Sequence, residues 1–197
     1  MPVRARLALM VTATLVLLGA LAIVVFADNA PTPTGPHLEG SIPPANATAA
    51  NFALRDQDGK LVKLSDYRGR PLMLTFMYST CRDTCPVTAY QMRGAMDDIG
   101  HDIPTLAISV DPKNDTPLNA KRFLNRTGLT GRMKFLMGTQ KQLEPIWKAY
   151  GVQPQGKGFD HSAYVLVIDR RGVRRVTWPT EKLTPEGLAH DLRFLGV

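Results

Sequence analysis

The pattern that most constrains the fold of this chain is an alternation of short apolar runs with segments of helical spacing. Residues 72–77 are a continuous apolar run, typical of a strand buried on both faces, and residues 103–110 predict another buried strand. Between these two runs, apolar residues recur at helical spacing, at Ala89, Met92, Met96 and Ile99. Strands that alternate with helices of this length predict a three-layer α/β/α domain.

The later segments complete this α/β pattern. Residues 163–168 and 173–178 flank Arg171 and Gly172, which predicts an antiparallel hairpin and therefore a mixed central sheet. Thr116 and Thr184 each precede a proline, and this pair of residue types is typical of a helix start. The core of this domain is expected to include Met73, Met77, Met92 and Met96, whose spacing fits strand and helix interiors.

The N-terminus carries an uncharged run of 20 residues, at positions 7–26. A helix of that length spans a bilayer of about 30 Å. Arg4 and Arg6 precede the run without an acidic residue, which predicts that the short N-terminal side stays in the cytoplasm. We therefore expect residues 1–27 to form one transmembrane helix, preceding the domain. A signal peptide cleaved after residues 25–27 is the alternative.

The remaining chain divides by composition into a linker and a domain. Residues 28–50 are rich in proline and alanine and poor in large aliphatic residues, so we expect an extended tether. Residues 51–197 are expected to form the domain. The 24 basic and 17 acidic residues give a net charge of +7, but the basic residues are interspersed with acidic ones. Together with the predicted export, this argues against a nucleic-acid partner.

The only two cysteines, Cys81 and Cys85, lie between a buried strand and the next helix. Pro86 suits the first helical position, which predicts that Cys85 is the N-cap and that the positive end of the helix stabilises its thiolate. A thiolate is a nucleophile for disulfide exchange and a ligand for soft metals. A structural disulfide is the alternative, although closing so short a loop adds little stability.

Two sulfur atoms leave most metals short of ligands, so a third ligand is expected from another part of the chain. Of the four histidines, His161 immediately precedes a buried strand. Because sites collect at strand ends in open α/β sheets, His161 is the favoured candidate, and a histidine with a purely structural role is the alternative.

Three motifs together resemble the Sco/SenC family. They are residues 76–86 with the two cysteines, residues 109–117 with Asp111 and Asp115, and the Asp160-His161-Ser162 triplet. The resemblance covers about residue 51 to the C-terminus. It implies a thioredoxin-like fold and one copper ion, Cu(I) or Cu(II), bound by Cys81, Cys85 and His161. Asp160, Asp111 and Asp115 are then candidates for a supporting role around the ligands, with loop and cap chemistry as the alternative for the last two.

The resemblance also implies a function and partners. Family members assist assembly of the binuclear copper site of cytochrome c oxidase subunit II, with an upstream copper donor as a further partner. The expected location is the inner membrane of a bacterium, with the domain on the extracytoplasmic side. Chemically, thiolates favour Cu(I) and imidazole also accommodates Cu(II).

Three other functions use the same residues. A thiol–disulfide oxidoreductase would use Cys81 and Cys85 as a redox-active disulfide, although such enzymes normally carry two residues between the cysteines rather than three. A peroxiredoxin places a threonine three residues before its reactive cysteine, and Tyr78 and Arg82 occupy those positions here. A tethered binding or redox-sensing module without transfer activity remains the third alternative.

Overall fold

The computed structural model describes residues 10–21, 37–154 and 164–197, and it divides the chain into two compact units between residues 36 and 37. In the first unit, residues 10–21 form helix α1. No helix within the described residues is both long and apolar enough to span a membrane. The predicted anchor run at residues 7–26 extends past α1 into residues outside the described ones, so the transmembrane helix stays a prediction.

Within its described residues, 37–154 and 164–197, the second unit contains seven strands, four α-helices and one 3₁₀-helix. The strands are β1 Ala53–Arg55, β2 Leu61–Lys63, β3 Leu72–Met77, β4 Thr105–Ser109, β5 Lys134–Leu136, β6 Tyr164–Ile168 and β7 Arg174–Pro179. The helices are the 3₁₀-helix Leu64–Tyr67, α2 Thr84–Ile99, α3 Pro117–Arg126, α4 Gln140–Tyr150 and α5 Pro185–Phe194.

The central sheet has five strands in the order β5-β4-β3-β6-β7. Strands β3, β4 and β5 are parallel, whereas β6 runs antiparallel to both β3 and β7. The predicted mixed sheet is therefore confirmed. Strands β1 and β2 form a separate hairpin, in which the Asp56 carboxylate accepts hydrogen bonds from the N–H groups of Asp58 and Lys60 at 3.0 and 2.9 Å.

Apolar cores lie on both faces of the central sheet, which gives the predicted three layers. Alternate residues of β3 point to opposite faces. Met73 and Met77 pack with α2, α3 and α5, whereas Leu74 and Phe76 pack with α4 and the β1–β2 hairpin. All four methionines expected in the core are buried, so that prediction is confirmed.

The predicted helix starts at Thr116 and Thr184 are also confirmed. The hydroxyl of Thr116 accepts a hydrogen bond from the Asn119 N–H at 3.2 Å, and Thr184 does the same for the Gly187 N–H at 3.1 Å. Each hydroxyl satisfies one of the N–H groups that a helix N-terminus leaves without an intrahelical partner.

A segment before the domain pairs with the edge strand β7. Ser41 and Thr177 exchange two backbone hydrogen bonds, of 2.9 and 2.8 Å, and the Ala49 N–H donates to Gly172 at 2.9 Å. These residues belong to the segment expected to be an extended tether. The segment has few apolar side chains with which to pack against the domain. It pairs with the edge of the sheet through backbone hydrogen bonds, which do not require apolar side chains. The boundaries at residues 27 and 50 stay predictions.

The buried carboxylate of Asp191 fastens this segment to the domain. It accepts hydrogen bonds from the backbone N–H groups of Glu39 and Gly40, at 2.7 and 2.9 Å, and from the Trp178 indole at 3.0 Å. Gly40 is required there, because a Cβ at that position would lie 2.3 Å from the Val176 side chain. Asp191 is fully buried, so loss of its carboxylate leaves several donors unsatisfied.

We predict that Asp191→Ala lowers the free energy of unfolding by about 2–4 kcal/mol, because three donors lose a buried charged acceptor. Urea denaturation of the protein measures this loss. Asp98→Ala is the matched control, since it removes an exposed carboxylate paired with Arg193 and is expected to cost less than about 1 kcal/mol. Equal losses in the two variants would contradict the role given to Asp191.

Candidate metal centre

The candidate site lies where the central strand β3 meets helix α2. All six residues of β3 are buried, and the chain leaves the sheet through a turn at residues 78–83. Because β3 and β4 are parallel, both end at the same edge of the sheet. Strand β6 is antiparallel to β3 and begins at that edge with Tyr164. The cysteine turn and the segment with Asp111 and Asp115 therefore lie at one edge of the sheet, where β6 also begins.

The two cysteines lie together at this edge, both buried and both in the reduced form. Their residues are 3% exposed for Cys81 and 2% for Cys85, and the Cys85 N–H donates to the Cys81 sulfur at 3.3 Å. Helix α2 begins earlier than predicted, because Asp83 is the N-cap and Thr84 the first helical residue. The prediction that Cys85 is the N-cap is therefore wrong. Proline fits anywhere in the first turn, where N–H groups have no intrahelical acceptor, so Pro86 does not mark the start.

The environment makes the two thiols chemically different. A hydrogen bond from the Cys85 thiol, together with the N–H groups of Cys85 and Asp83, lowers the pKa of Cys81 from 9.0 to about 5, although burial opposes this shift. The hydrogen bond to Cys81 and burial raise the pKa of Cys85. The hydrogen bonds to Cys81 favour the thiolate there, whereas burial disfavours a thiolate on Cys85, where the sequence predicted it. The N–H groups at the start of α2 donate to the sulfur of Cys81, which precedes the helix, rather than to the sulfur of Cys85, which lies within it.

Burial also raises the pKa of Tyr78, and the neighbouring cysteines add to this effect through a hydrogen bond with Cys81 and through charge. The Tyr78 hydroxyl therefore stays protonated at neutral pH. It is one more donor for the Cys81 sulfur.

Asp115 holds the turn that carries Cys81. Its carboxylate accepts hydrogen bonds from the Ser79 N–H at 2.6 Å, from the Ser79 hydroxyl at 2.5 Å and from the Ser109 hydroxyl at 2.5 Å. These contacts connect the ends of β3 and β4. Burial raises the pKa of Asp115 above its ordinary value, against the effect of the serine hydrogen bonds.

Asp111 has a more local role than Asp115. Its carboxylate accepts a hydrogen bond from the Asn114 amide at 2.7 Å, and its carbonyl accepts the N–H groups of Asn114 and Asp115. These contacts close the turn before α3. Of the two aspartates, only Asp115 has a described hydrogen bond to the cysteine turn.

Arg126 is a site residue that the sequence analysis missed. Its guanidinium donates to the carbonyls of Ser79 at 3.1 Å and Cys81 at 2.6 Å. Arg126 is the last residue of α3 and lies 45 positions from Cys81, so no local motif connects the two. A basic residue at a helix C-terminus is ordinarily explained by the helix dipole, which conceals this contact in the sequence.

The third predicted ligand lies outside the described residues, because His161 and Asp160 belong to residues 155–163. The two cysteines remain the described part of the predicted ligand set. Within the described ranges, no group of three or more histidine, cysteine or acidic side chains is placed to hold a metal ion. The described pair supplies one thiolate and one thiol, which suits either a soft metal or thiol–disulfide exchange.

We predict that the reduced protein retains a thiolate absorbance near 240 nm at pH 7. This absorbance should fall on acidification with a midpoint at about pH 5, because Cys81 gains a proton there. Cys81→Ser should abolish the step. Cys85→Ala removes the donating thiol and should move the midpoint upward, toward the ordinary thiol value. An unchanged absorbance between pH 4 and 7 would contradict the assignment of Cys81 as the thiolate.

Comparison with known proteins places this geometry in a family. The family model described as SCO1/SenC matches residues 41–195. The SCO2-like protein of Rickettsia felis is 26% identical over 132 residues, which cover 62% of this chain but only 64% of that protein.

Two solved structures share the fold. The structure of Bradyrhizobium japonicum ScoI with copper bound is 29% identical, covers 76% of this chain and 99% of that chain, and has a TM-score of 0.64. BsSco, a member of the Sco family of cytochrome c oxidase assembly proteins, is 22% identical, covers 80% of this chain and 98% of that chain, and has a TM-score of 0.65. The predicted thioredoxin-like fold is thereby confirmed. Because the family model covers most of the chain, this protein belongs to the SCO1/SenC family.

Proposed function

We propose that this protein is a membrane-tethered copper metallochaperone, which binds one copper ion as cargo through Cys81, Cys85 and His161. One observation carries the proposal. A buried thiolate–thiol pair lies at the carboxyl end of the central strand, in a domain of the SCO1/SenC family. Copper is the chosen metal because it is bound in the related ScoI structure.

The donor set fits copper chemically. The Cys81 thiolate is available at neutral pH, and the Cys85 thiol would lose its proton on binding the metal. Two sulfur ligands favour Cu(I), and one imidazole lets the same set hold Cu(II).

His161 is proposed as the third ligand from its position in the chain. It lies three residues before Tyr164, where β6 begins beside the carboxyl end of β3, the end of the sheet at which the cysteines lie. Asp160 is proposed to accept a hydrogen bond from the His161 ring and so fix its orientation. Asp115 is proposed to support the site through Ser79 in the cysteine turn, and Asp111 by closing the turn before α3.

The proposed acceptor is the binuclear copper site of cytochrome c oxidase subunit II. Support for an oxidase comes from BsSco, which belongs to the Sco family of cytochrome c oxidase assembly proteins. Copper would pass by ligand exchange from Cys81, Cys85 and His161 to ligands of the acceptor. An upstream copper donor would load the reduced protein by the same exchange in the opposite direction.

The uncharged run at residues 7–26 is proposed as an uncleaved anchor in the inner membrane of a bacterium, with the domain on the extracytoplasmic side. Alkaline carbonate extraction of membranes tests this. The full chain should stay in the pellet, whereas a chain beginning at residue 37 should be extracted. Extraction of both chains would contradict the anchor.

The copper site is tested by anaerobic Cu(I) titration of the reduced protein. We expect one tightly bound equivalent. Cys81→Ser and Cys85→Ser should each weaken binding by more than about a hundredfold, because each removes a sulfur ligand from a soft ion. His161→Ala should weaken it by at least about tenfold, and more strongly for Cu(II).

His101→Ala is the matched control for the histidine variant. His101 is exposed, and its ring nitrogen lies 3.2 Å from the Ile99 carbonyl, outside the cysteine edge. Unchanged copper binding in His101→Ala together with a loss in His161→Ala would support the ligand set. Equal affinities in wild type and all three ligand variants would contradict it.

A second candidate function, a thiol–disulfide reductase acting on the acceptor, is favoured by the different pKa values of the two cysteines. The Cys81 thiolate would attack an acceptor disulfide and release one acceptor thiolate. The Cys85 thiol would then lose its proton and attack the Cys81 sulfur, which releases the second acceptor thiolate and leaves a Cys81–Cys85 disulfide. Absence of stoichiometric copper binding, with both thiols still reactive, would favour this function.

A further inference from the structure

We infer that Arg126 is a positioning residue for the cysteine pair, through which the C-terminus of α3 controls the chemistry of Cys81 and Cys85. This inference deepens the proposed function and rests on the same site. Arg126 contacts neither sulfur atom in the described contacts. It acts through the backbone of the turn between β3 and α2.

The turn between β3 and α2 presents two backbone carbonyls to Arg126. Ser79 and Cys81 lie outside both β3 and α2, where buried carbonyls need partners other than those of a strand or helix. One terminal nitrogen of the Arg126 guanidinium lies 3.1 Å from the Ser79 carbonyl and 2.6 Å from the Cys81 carbonyl. That nitrogen carries two hydrogens, so it can donate to both carbonyls at once.

Arg126 is itself held by contacts of its side chain and its backbone. Its guanidinium carbon lies 5.1 Å from the centroid of the Phe123 ring, a cation–π contact with a fully buried residue. Its backbone carbonyl accepts a hydrogen bond from the Tyr90 hydroxyl at 3.2 Å. Arg126 is therefore fixed both to the core beneath α3 and to the neighbouring helix α2. A lysine lacks the planar group that stacks on the ring while donating to two carbonyls.

Arg126 and Asp115 hold different residues of the cysteine turn. Asp115 holds Ser79 by its N–H and hydroxyl, two residues before Cys81. Within the described hydrogen bonds, Arg126 is the side chain that holds the Cys81 carbonyl. The position of the Cys81 sulfur over the Cys85 N–H therefore depends on Arg126.

These contacts have a consequence for the redox equilibrium of the pair. The hydrogen bond from the Cys85 N–H to the Cys81 sulfur belongs to the reduced pair, and Arg126 holds the Cys81 carbonyl in the position that allows it. Loss of Arg126 should therefore favour the Cys81–Cys85 disulfide.

The test is equilibration of the copper-free full chain, in detergent, with glutathione buffers. Two glutathione thiols reduce one Cys81–Cys85 disulfide and yield one glutathione disulfide. Arg126→Met should shift the equilibrium constant toward the protein disulfide by about tenfold, which corresponds to about 30 mV for this two-electron couple. Arg126→Lys should retain more than half of the shift seen in Arg126→Met, measured as the logarithm of the equilibrium constant. Arg122→Met, which removes an exposed arginine one turn earlier in α3, should leave the constant unchanged.

A shift of about threefold or less in Arg126→Met, or an equal shift in Arg122→Met, would overturn the inference. Far-ultraviolet circular dichroism and the urea midpoint establish that each variant is folded. Because this equilibrium contains no copper, it separates the two proposals. Absent copper binding with the expected redox shift would reject the proposed function alone, whereas normal copper binding without the shift would reject the role of Arg126 alone.

Discussion

The site depends on the buried carboxylate of Asp115 and its hydrogen bonds to Ser79 and Ser109. Strands β3 and β4 lie side by side in the sheet, but their chains leave the sheet in separate turns. Asp115 follows β4 and contacts the turn after β3, so one side chain fixes both. A charged acceptor with three short hydrogen bonds in a buried position is a strong and geometrically specific contact. The turn that carries the cysteines is therefore fixed in position relative to the sheet.

The first turn of α2 determines how the pKa values of the two cysteines differ. Cys81 lies before the helix and accepts its N–H groups, whereas Cys85 lies within the first turn and donates its thiol proton to Cys81. Negative charge is thereby concentrated on one sulfur atom. The same asymmetry serves metal capture, which needs a thiolate, and disulfide exchange, which needs a nucleophile with a second thiol beside it.

Much of the fold could be predicted from the sequence because its signals are local. Continuous apolar runs predicted the central strands, and a threonine followed by a proline predicted the starts of α3 and α5. The start of α2 could not be predicted to the residue, because proline is compatible with several positions in a first turn. The prediction of a thiolate at Cys85 depended on Cys85 being the N-cap, so this prediction was affected by the same uncertainty.

The candidate site could be predicted only where its residues form motifs. Cys81 and Cys85 are four positions apart and flanked by a strand and a helix, whereas Arg126 reaches them through the tertiary packing of α3. Asp191 was missed for the same reason, because its partners Glu39 and Gly40 lie about 150 positions away. Contacts across such distances leave no periodicity or spacing in the sequence. His161 was proposed from a motif, and it remains a prediction.

The measurement that tests the central claim most directly is X-ray absorption at the copper edge of the protein loaded anaerobically with one equivalent of Cu(I). The account predicts a first coordination shell of two sulfur atoms and one nitrogen, in which sulfur is lost in Cys81→Ser and Cys85→Ser and nitrogen is lost in His161→Ala. A shell without sulfur, or one that is unchanged in all three variants, would contradict a copper centre at this edge of the sheet.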